Sequence, residues 1–258
     1  MEAKRIVSLT PASTEMLFAL GLDDEIVGVS SYCNWPIAAK SKEKVGSFSN
    51  PNIEKIIMLE PDLVILTGME QAHFKGILSK LKIDYLIVDP KNIEELLTSI
   101  DEIAAITDRK REARDIRKGI EETLKRIGRK VAHSSRKKRP KVYLEIWHDP
   151  IMSPGGNSFV SDMIEKAGGA NITADLRRAF SKIDPERIIY RNPDIIILTY
   201  MKSQKWIREN LAKRVGWSSI GAVKNNKVFT DINPDIMLRP SPRVKEGLIE
   251  LYERFYER

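Results

Sequence analysis

Cysteine is nearly missing from this chain: Cys33 stands alone among 258 residues. A single cysteine excludes a disulfide framework and a cysteine-based metal site, and its default role is that of a small packed residue. Long apolar runs are missing too. No stretch reaches the roughly 18 apolar residues of a membrane-spanning helix. Histidine is sparse, with His73, His133 and His148 far apart. The motifs G-x-S-x-G, G-x-x-x-x-G-K-[ST], G-x-G-x-x-G and H-E-x-x-H do not occur. Their absence removes the usual signatures of nucleophilic hydrolysis, phosphate cradling, dinucleotide binding and zinc proteolysis. The chain reads as a non-enzyme, with no catalytic residues and no resident metal. The opening residues MEAKRIVSL enter a strand-like run at once and leave no room for a signal peptide. Either the protein is cytoplasmic or a leader was removed from it. Few Gln and Cys among many Lys, Glu, Arg and Ile point to a thermophile.

Charge, by contrast, is abundant. Lys and Arg number 43 against 36 Asp and Glu, a net charge of +7. The excess is concentrated in Arg109–Lys118 and Lys125–Lys141, the latter including SSRKKRPK. A nucleic-acid surface needs stacking aromatics or a recognition element beside such a run, and here the aromatics lie elsewhere. These charges read as a solvated helix face and linker, with no nucleic-acid partner.

The most informative positive feature is a segment that occurs twice, 132 residues apart and without a gap. Phe48–Met69 reads FSNPNIEKIIMLEPDLVILTGM, and Phe180–Met201 reads FSKIDPERIIYRNPDIIILTYM, with 11 of 22 positions identical. Two distant copies are too few for a solenoid. They predict two like lobes, and a ligand cleft between them.

The periodicity fills in the lobes. Arg5–Leu9 reads as a strand, Thr10 as an N-cap with Pro11 in the first turn of a helix that stops at Gly21, and Ile26–Ser30 as a second strand. Asn52–Leu59 has helical spacing, and the apolar run Asp62–Thr67 suits a strand buried on both faces, as in parallel sheets. Gln71–Leu81 follows as a helix and Tyr85–Val88 as a strand. A long helical region ends in a helix of about 24 residues, roughly 35 Å at 1.5 Å per residue. Beyond a turn at 134–140 the order repeats, with strands at Lys141–Ile146, Asp194–Thr199 and Lys227–Thr230, and helices at Phe159–Ala167, Pro185–Arg191, Trp206–Ala212 and Arg243–Phe255. The expected fold is α/β: two similar lobes with mainly parallel sheets, residues 1–106 and 134–258, joined by one long helix within 107–133. A packed helix as the only link restrains hinge motion and implies a preformed cleft.

Open α/β sheets bind ligands at the carboxyl ends of their strands. There the chain places Ser30–Pro36 (SSYCNWP), Trp147–Pro150, Tyr200-Met201 and Asp235–Pro240, with Phe48 and Phe180 at equivalent places in the repeat. The candidate ligand contacts from these loops include Trp35, His148, Tyr200 and Met237. Such a set suits a large, partly apolar ligand with a few polar handles.

At this point a resemblance becomes specific. RIVSLTPASTEMLFALG, VGVSSYCNWP, KVGSFSNPNIEKIIMLEPDLVIL, EIWHDPIMSPGGNSFVSDMIEKAGGANI and GWSSIGAVKNNKV…LRPSPRV resemble the substrate-binding proteins of ABC importers for cobalamin, ferric siderophores and haem. SSYCNWP is most similar to the cobalamin branch. The resemblance implies that Ser31, Tyr32 and Pro36 line one wall of the cleft, that Phe48 lies against the corrin, and that Trp147 and Arg239 line the opposing lobe. It implies cobalamin or a related corrinoid as transported ligand and not as catalytic cofactor, permease subunits as partners, a monomer, and an extracytoplasmic address. It also implies one permease-docking carboxylate per lobe, for which Glu70 and Glu209 are the candidates. A haem or ferric-siderophore receptor is the alternative within this class. Anionic iron chelates call for basic residues, and Arg239 is the sole arginine in these loops. A cytoplasmic two-lobed α/β enzyme is the alternative from another class.

Overall fold

The two copies of the repeat fold alike. The structure, a computed structural model, describes residues 3–68, 71–134, 138–200 and 203–257. In the first half the elements are β1 (Ile6–Ser8), α1 (Pro11–Ala19), β2 (Ile26–Val29), α2 (Ile53–Met58), β3 (Leu63–Leu66), α3 (Ala72–Lys80) and β4 (Asp84–Ile87). Helices α4 (Ile93–Thr107) and α5 (Lys110–Ala132) follow. The second half holds β5 (Lys141–Glu145), β6 (Trp147–His148), β7 (Ile151–Pro154), α6 (Phe159–Lys166), β8 (Ala170–Asn171), β9 (Phe180–Lys182), α7 (Pro185–Arg191) and β10 (Ile195–Leu198). It ends with α8 (Gln204–Ala212), α9 (Gly221–Lys224), β11 (Val228–Phe229), α10 (Pro234–Leu238) and α11 (Val244–Tyr256).

Helices α2 and α7 start at equivalent repeat positions, and so do strands β3 and β10. Each half builds a four-stranded parallel sheet, ordered β2-β1-β3-β4 in the first and β8-β5-β10-β11 in the second. When only the strands of each parallel sheet are counted, in chain order, both sheets have the order 2-1-3-4, so the two halves share one topology. The shared Pro-Asp dipeptide explains part of it. The Asp62 carboxylate accepts from the backbone N–H of Lys4 at 2.9 Å and of Arg5 at 3.1 Å. Its counterpart Asp194 accepts from Lys141 N–H at 2.8 Å. The side chains of Arg5 and Lys141 then reach the carbonyls that end α2 and α7, Arg5 Nη2 to Leu59 O at 2.6 Å and Lys141 Nζ to Arg191 O at 3.0 Å. Each repeat therefore ties its helix end to the start of the first strand of its own sheet, using helix carbonyls that lack an intrahelical donor. Glu60 and Asn192, also equivalent, both take the left-handed conformation, at φ 45° and 46°.

Burial accounts for the apolar strands. All four residues of β3 and of β10 are buried, as a sheet covered on both faces requires. Val7, Leu9, Ile56, Val64 and Leu66 cluster in one core, and Tyr143, Ile188, Ile196 and Leu198 in the other. The chain divides into two compact units, one of residues 1–90, 94–118 and 239–242, the other of residues 91–93, 119–238 and 243–258. Helix α5 is continuous through the division, which falls between Lys118 and Gly119.

Two local expectations are corrected. The stretch containing Met237 is not a plain loop, because Pro234 opens α10 with Asp235 in its first turn, a favourable start to a helix. The loop after β5 and the segment at Phe180 form a three-stranded antiparallel sheet, β6-β7-β9. Its short, irregular strands carry no clear alternation in sequence.

Candidate functional site

The first unit presents its strand-end loops on a network of buried polar groups. Thr10 caps α1, its Oγ1 accepting from Ser13 N–H at 3.0 Å. Thr14 Oγ1 donates to Ser8 Oγ and contacts Cys33 Sγ at 3.1 Å, and Ser30 Oγ lies 3.2 Å from the same sulfur. Cys33 is buried, so it pins the base of the SSYCNWP loop as a small packed residue. Ser31, a candidate ligand contact, donates both its N–H and its Oγ to Gly46 O, at 2.8 and 2.9 Å. Gly46 has φ 105°, and a Cβ there would meet Asn52 N at 2.7 Å, so only glycine fits. Lys44 Nζ donates to Ala39 O at 2.7 Å beneath the same loop, and burial lowers its pKa. Over this support Tyr32 is 61% exposed and Trp35 45% exposed. Pro36 and Phe48 are half-buried. The buried Gln71 fixes Phe48, accepting from Thr67 N–H at 2.9 Å and donating to Phe48 O at 2.7 Å.

Arg239 belongs with the first unit and not, as expected, with the second lobe. The reason is a buried carboxylate. Glu15, on α1, lies 3.1 Å from Arg239 Nη1 and accepts from Ser241 Oγ at 2.7 Å. Arg239 Nη1 also donates to Asn34 Oδ1 at 2.7 Å, which joins it to the SSYCNWP loop.

The second unit gathers an aromatic cluster. The His148 ring lies 5.2 Å from Trp147, 5.6 Å from Tyr200 and 4.7 Å edge-on from Trp206. Trp147 is 47% exposed, and its Nε1 donates to Asp149 O at 2.8 Å. The buried His148 Nδ1 finds no hydrogen-bond partner among the described residues. Tyr200 is almost wholly buried and donates its hydroxyl to Glu145, so only its ring is placed to support the cluster. Glu145 ends β5 fully buried, accepting from Tyr143 Oη at 2.7 Å and from both Arg214 nitrogens at 2.8 and 2.6 Å. Burial pushes the Glu145 carboxyl up against the pull of Arg214, and burial beside Glu145 pushes the Tyr143 hydroxyl well up.

The remaining candidates scatter. Met237 is completely buried and offers a ligand no surface; it packs near Gly247. Glu209 is exposed on α8, 4.0 Å from Lys205. Glu70 lies outside the described residues. Glu15, Glu145, Arg214, Gln71 and Trp206 were missed. A usable signal existed for two of them: Glu15 interrupts the apolar helix STEMLFAL, and Glu145 ends the apolar strand VYLE.

Comparisons with known proteins agree with this architecture. Residues 6–233 match the family described as Periplasmic binding protein. An uncharacterized ABC transporter substrate-binding lipoprotein, YvrC of Bacillus subtilis, is 35% identical over 99% of this chain and 81% of its own length. A vitamin B12-binding protein of Yersinia pseudotuberculosis is 29% identical over 78% of this chain and 71% of its own. A solved structure of a possible iron-binding (periplasmic solute-binding) protein from Staphylococcus epidermidis superposes with a TM-score of 0.85 at 32% identity, covering 99% of this chain and 100% of that one. The duplicated α/β units, the aromatic strand-end loops and the family match over most of the sequence lead to one conclusion: this chain belongs to the periplasmic binding protein family.

Proposed function

We propose that the protein captures cobalamin or a related corrinoid and delivers it to an ABC importer from an extracytoplasmic position. The observation that carries this reading is the placement of Tyr32, Trp35 and Trp147, all large and exposed, on strand-end loops of the two units. Exposed aromatics on rigid supports stack on a flat macrocycle, while neighbouring Ser31 and Asn34 offer polar contacts to amide edges. Phe48 and His148 extend the two aromatic sets. The vitamin B12-binding relative supports the same ligand class. No helix among the described residues is long and apolar enough to cross a membrane. A lipid or membrane anchor would hold the protein at the cell surface, as the lipoprotein relative suggests. Glu209, and Glu70, are the proposed permease contacts.

The second reading is a haem or ferric-chelate receptor. His148, with its buried Nδ1 unpartnered, favours it, as does the possible iron-binding structural neighbour. Parallel titrations with cyanocobalamin, haem and a ferric siderophore, followed by calorimetry and by the ligand's visible spectrum, separate the readings. Saturable binding of the corrinoid in preference to the others supports the proposal; binding of haem or siderophore alone replaces it with the second reading.

A further inference from the structure

Arg214 and Arg239 sit beside the candidate contacts of their own units, and each is held by a buried carboxylate. Arg239 pairs with Glu15, whose side chain is 2% exposed, at 3.1 Å. Arg214 pairs with Glu145, whose side chain is 0% exposed, at 2.6 Å. The arginines themselves are 13% and 12% exposed. Arg239 reaches the SSYCNWP loop at Asn34, and Arg214 reaches the candidate Tyr200 at its hydroxyl, 3.3 Å away. The geometry is bidentate at Glu145, and Glu15 is further occupied by Ser241. A guanidinium is the group best suited to grip a carboxylate or other oxyanion on a ligand. Here that capacity is already spent inside each unit.

We infer that Glu15 and Glu145 determine specificity for ligand charge: by neutralising Arg239 and Arg214 they leave the strand-end loops selective for a chelate with an uncharged rim and against one bearing carboxylates. The inference rests on the proposed role of these loops in holding a chelate. A buried ion pair seldom stabilises a fold more than apolar residues of the same volume would, so its presence at both sites is better explained by control of charge than by stability. An amide-rimmed macrocycle meets no unsatisfied cation, whereas a dicarboxylate such as haem must compete with a protein carboxylate already in place.

The test compares haem with its dimethyl ester, in which both propionates are methylated and uncharged, on the wild-type chain and on Glu15→Gln and Glu145→Gln. The wild-type protein should bind the ester at least as well as haem. A substitution that frees its arginine should raise haem affinity about tenfold, the effect of one charge-assisted hydrogen bond, without a matching gain for the ester. That gain should fall as salt is added, and the Glu15→Met/Arg239→Met double variant should not show it. Two results overturn the inference: haem affinity unchanged by both substitutions, including no haem binding by any protein, or wild-type binding that weakens tenfold when the propionates are esterified. The wild-type comparison decides the matter even where a variant fails to fold. Failure of the wild-type chain to bind cyanocobalamin, with haem gained by a glutamine variant, would sink the corrinoid reading and leave this inference standing.

Discussion

Arg239 and Glu15 lie 3.1 Å apart although 224 positions separate them in sequence, and the contact brings the segment 239–242 into the first unit. Arg239→Met would remove a paired guanidinium from the buried Glu15 and leave its Ser241 contact in place. Breaking a buried pair in this way costs about 3–5 kcal/mol, whereas replacing both partners by apolar residues costs far less. Urea unfolding should therefore show a large loss for Arg239→Met and substantial recovery in Glu15→Met/Arg239→Met. Equal losses in the two would mean that packing, and not charge, holds the segment.

The repeat makes a quantitative claim about the cores. Ile56 and Ile188 are equivalent positions, each wholly buried in the core of its own unit. Either one changed to Ala should cost about 2–5 kcal/mol, with the two losses similar in size. Denaturant melts that show one change to be nearly neutral would break the proposed equivalence.

How much of this was legible beforehand follows from the range of the forces. Asp62–Thr67 and Asp194–Thr199 announce buried strands because a run of apolar residues is local information, and Thr10-Pro11 announces a helix start for the same reason. The duplication announces two like, mainly parallel sheets, but their strand order is a matter of long-range pairing that the repeat does not spell out. The antiparallel sheet of β6, β7 and β9 stayed hidden because its strands are short and its pairing joins Pro154 to Phe180 across intervening elements. The resemblance implies Arg239 on the opposing lobe, whereas the buried carboxylate that draws it into the first unit sits on α1, 224 positions away. Met237 looked like a loop residue, but Pro234 starts a helix that turns it into a core.

The left-handed residues offer a test of backbone strain. Glu60 and Asn192 end the paired helices at φ 45° and 46°, a conformation that Asn tolerates and Glu does not. Glu60→Asn should stabilise the protein by about 0.5–1 kcal/mol, seen as a raised thermal midpoint. Asn192→Ala should lower it.

Asp175 sets an acid limb. Its carboxyl bonds Arg191 at 2.7 and 2.8 Å and also pairs with Arg187. Led by the Arg191 hydrogen bonds, these contacts hold its pKa down to about 2. A depressed carboxylate contributes stability that is present above the unfolded pKa of about 3.9 and disappears as pH falls toward 2. Because Asp175 is half exposed, with 49% of its side chain accessible, solvent screening limits the contribution to about 1 kcal/mol. Asp175→Asn should thus destabilise the protein modestly at pH 7 and much less at pH 2, where the carboxyl is about half protonated in the folded state. An effect that persists unchanged at pH 2 would contradict the charge pairing.

The central claim, that the exposed aromatic strand-end loops hold a corrinoid, is tested most directly by calorimetric titration of the full chain with cyanocobalamin. The account predicts saturable binding of one molecule, weakened tenfold or more by Tyr32→Ala, by Trp35→Ala and by Trp147→Ala while the thermal midpoint stays unchanged. No heat of binding, or an affinity indifferent to all three substitutions, would contradict it.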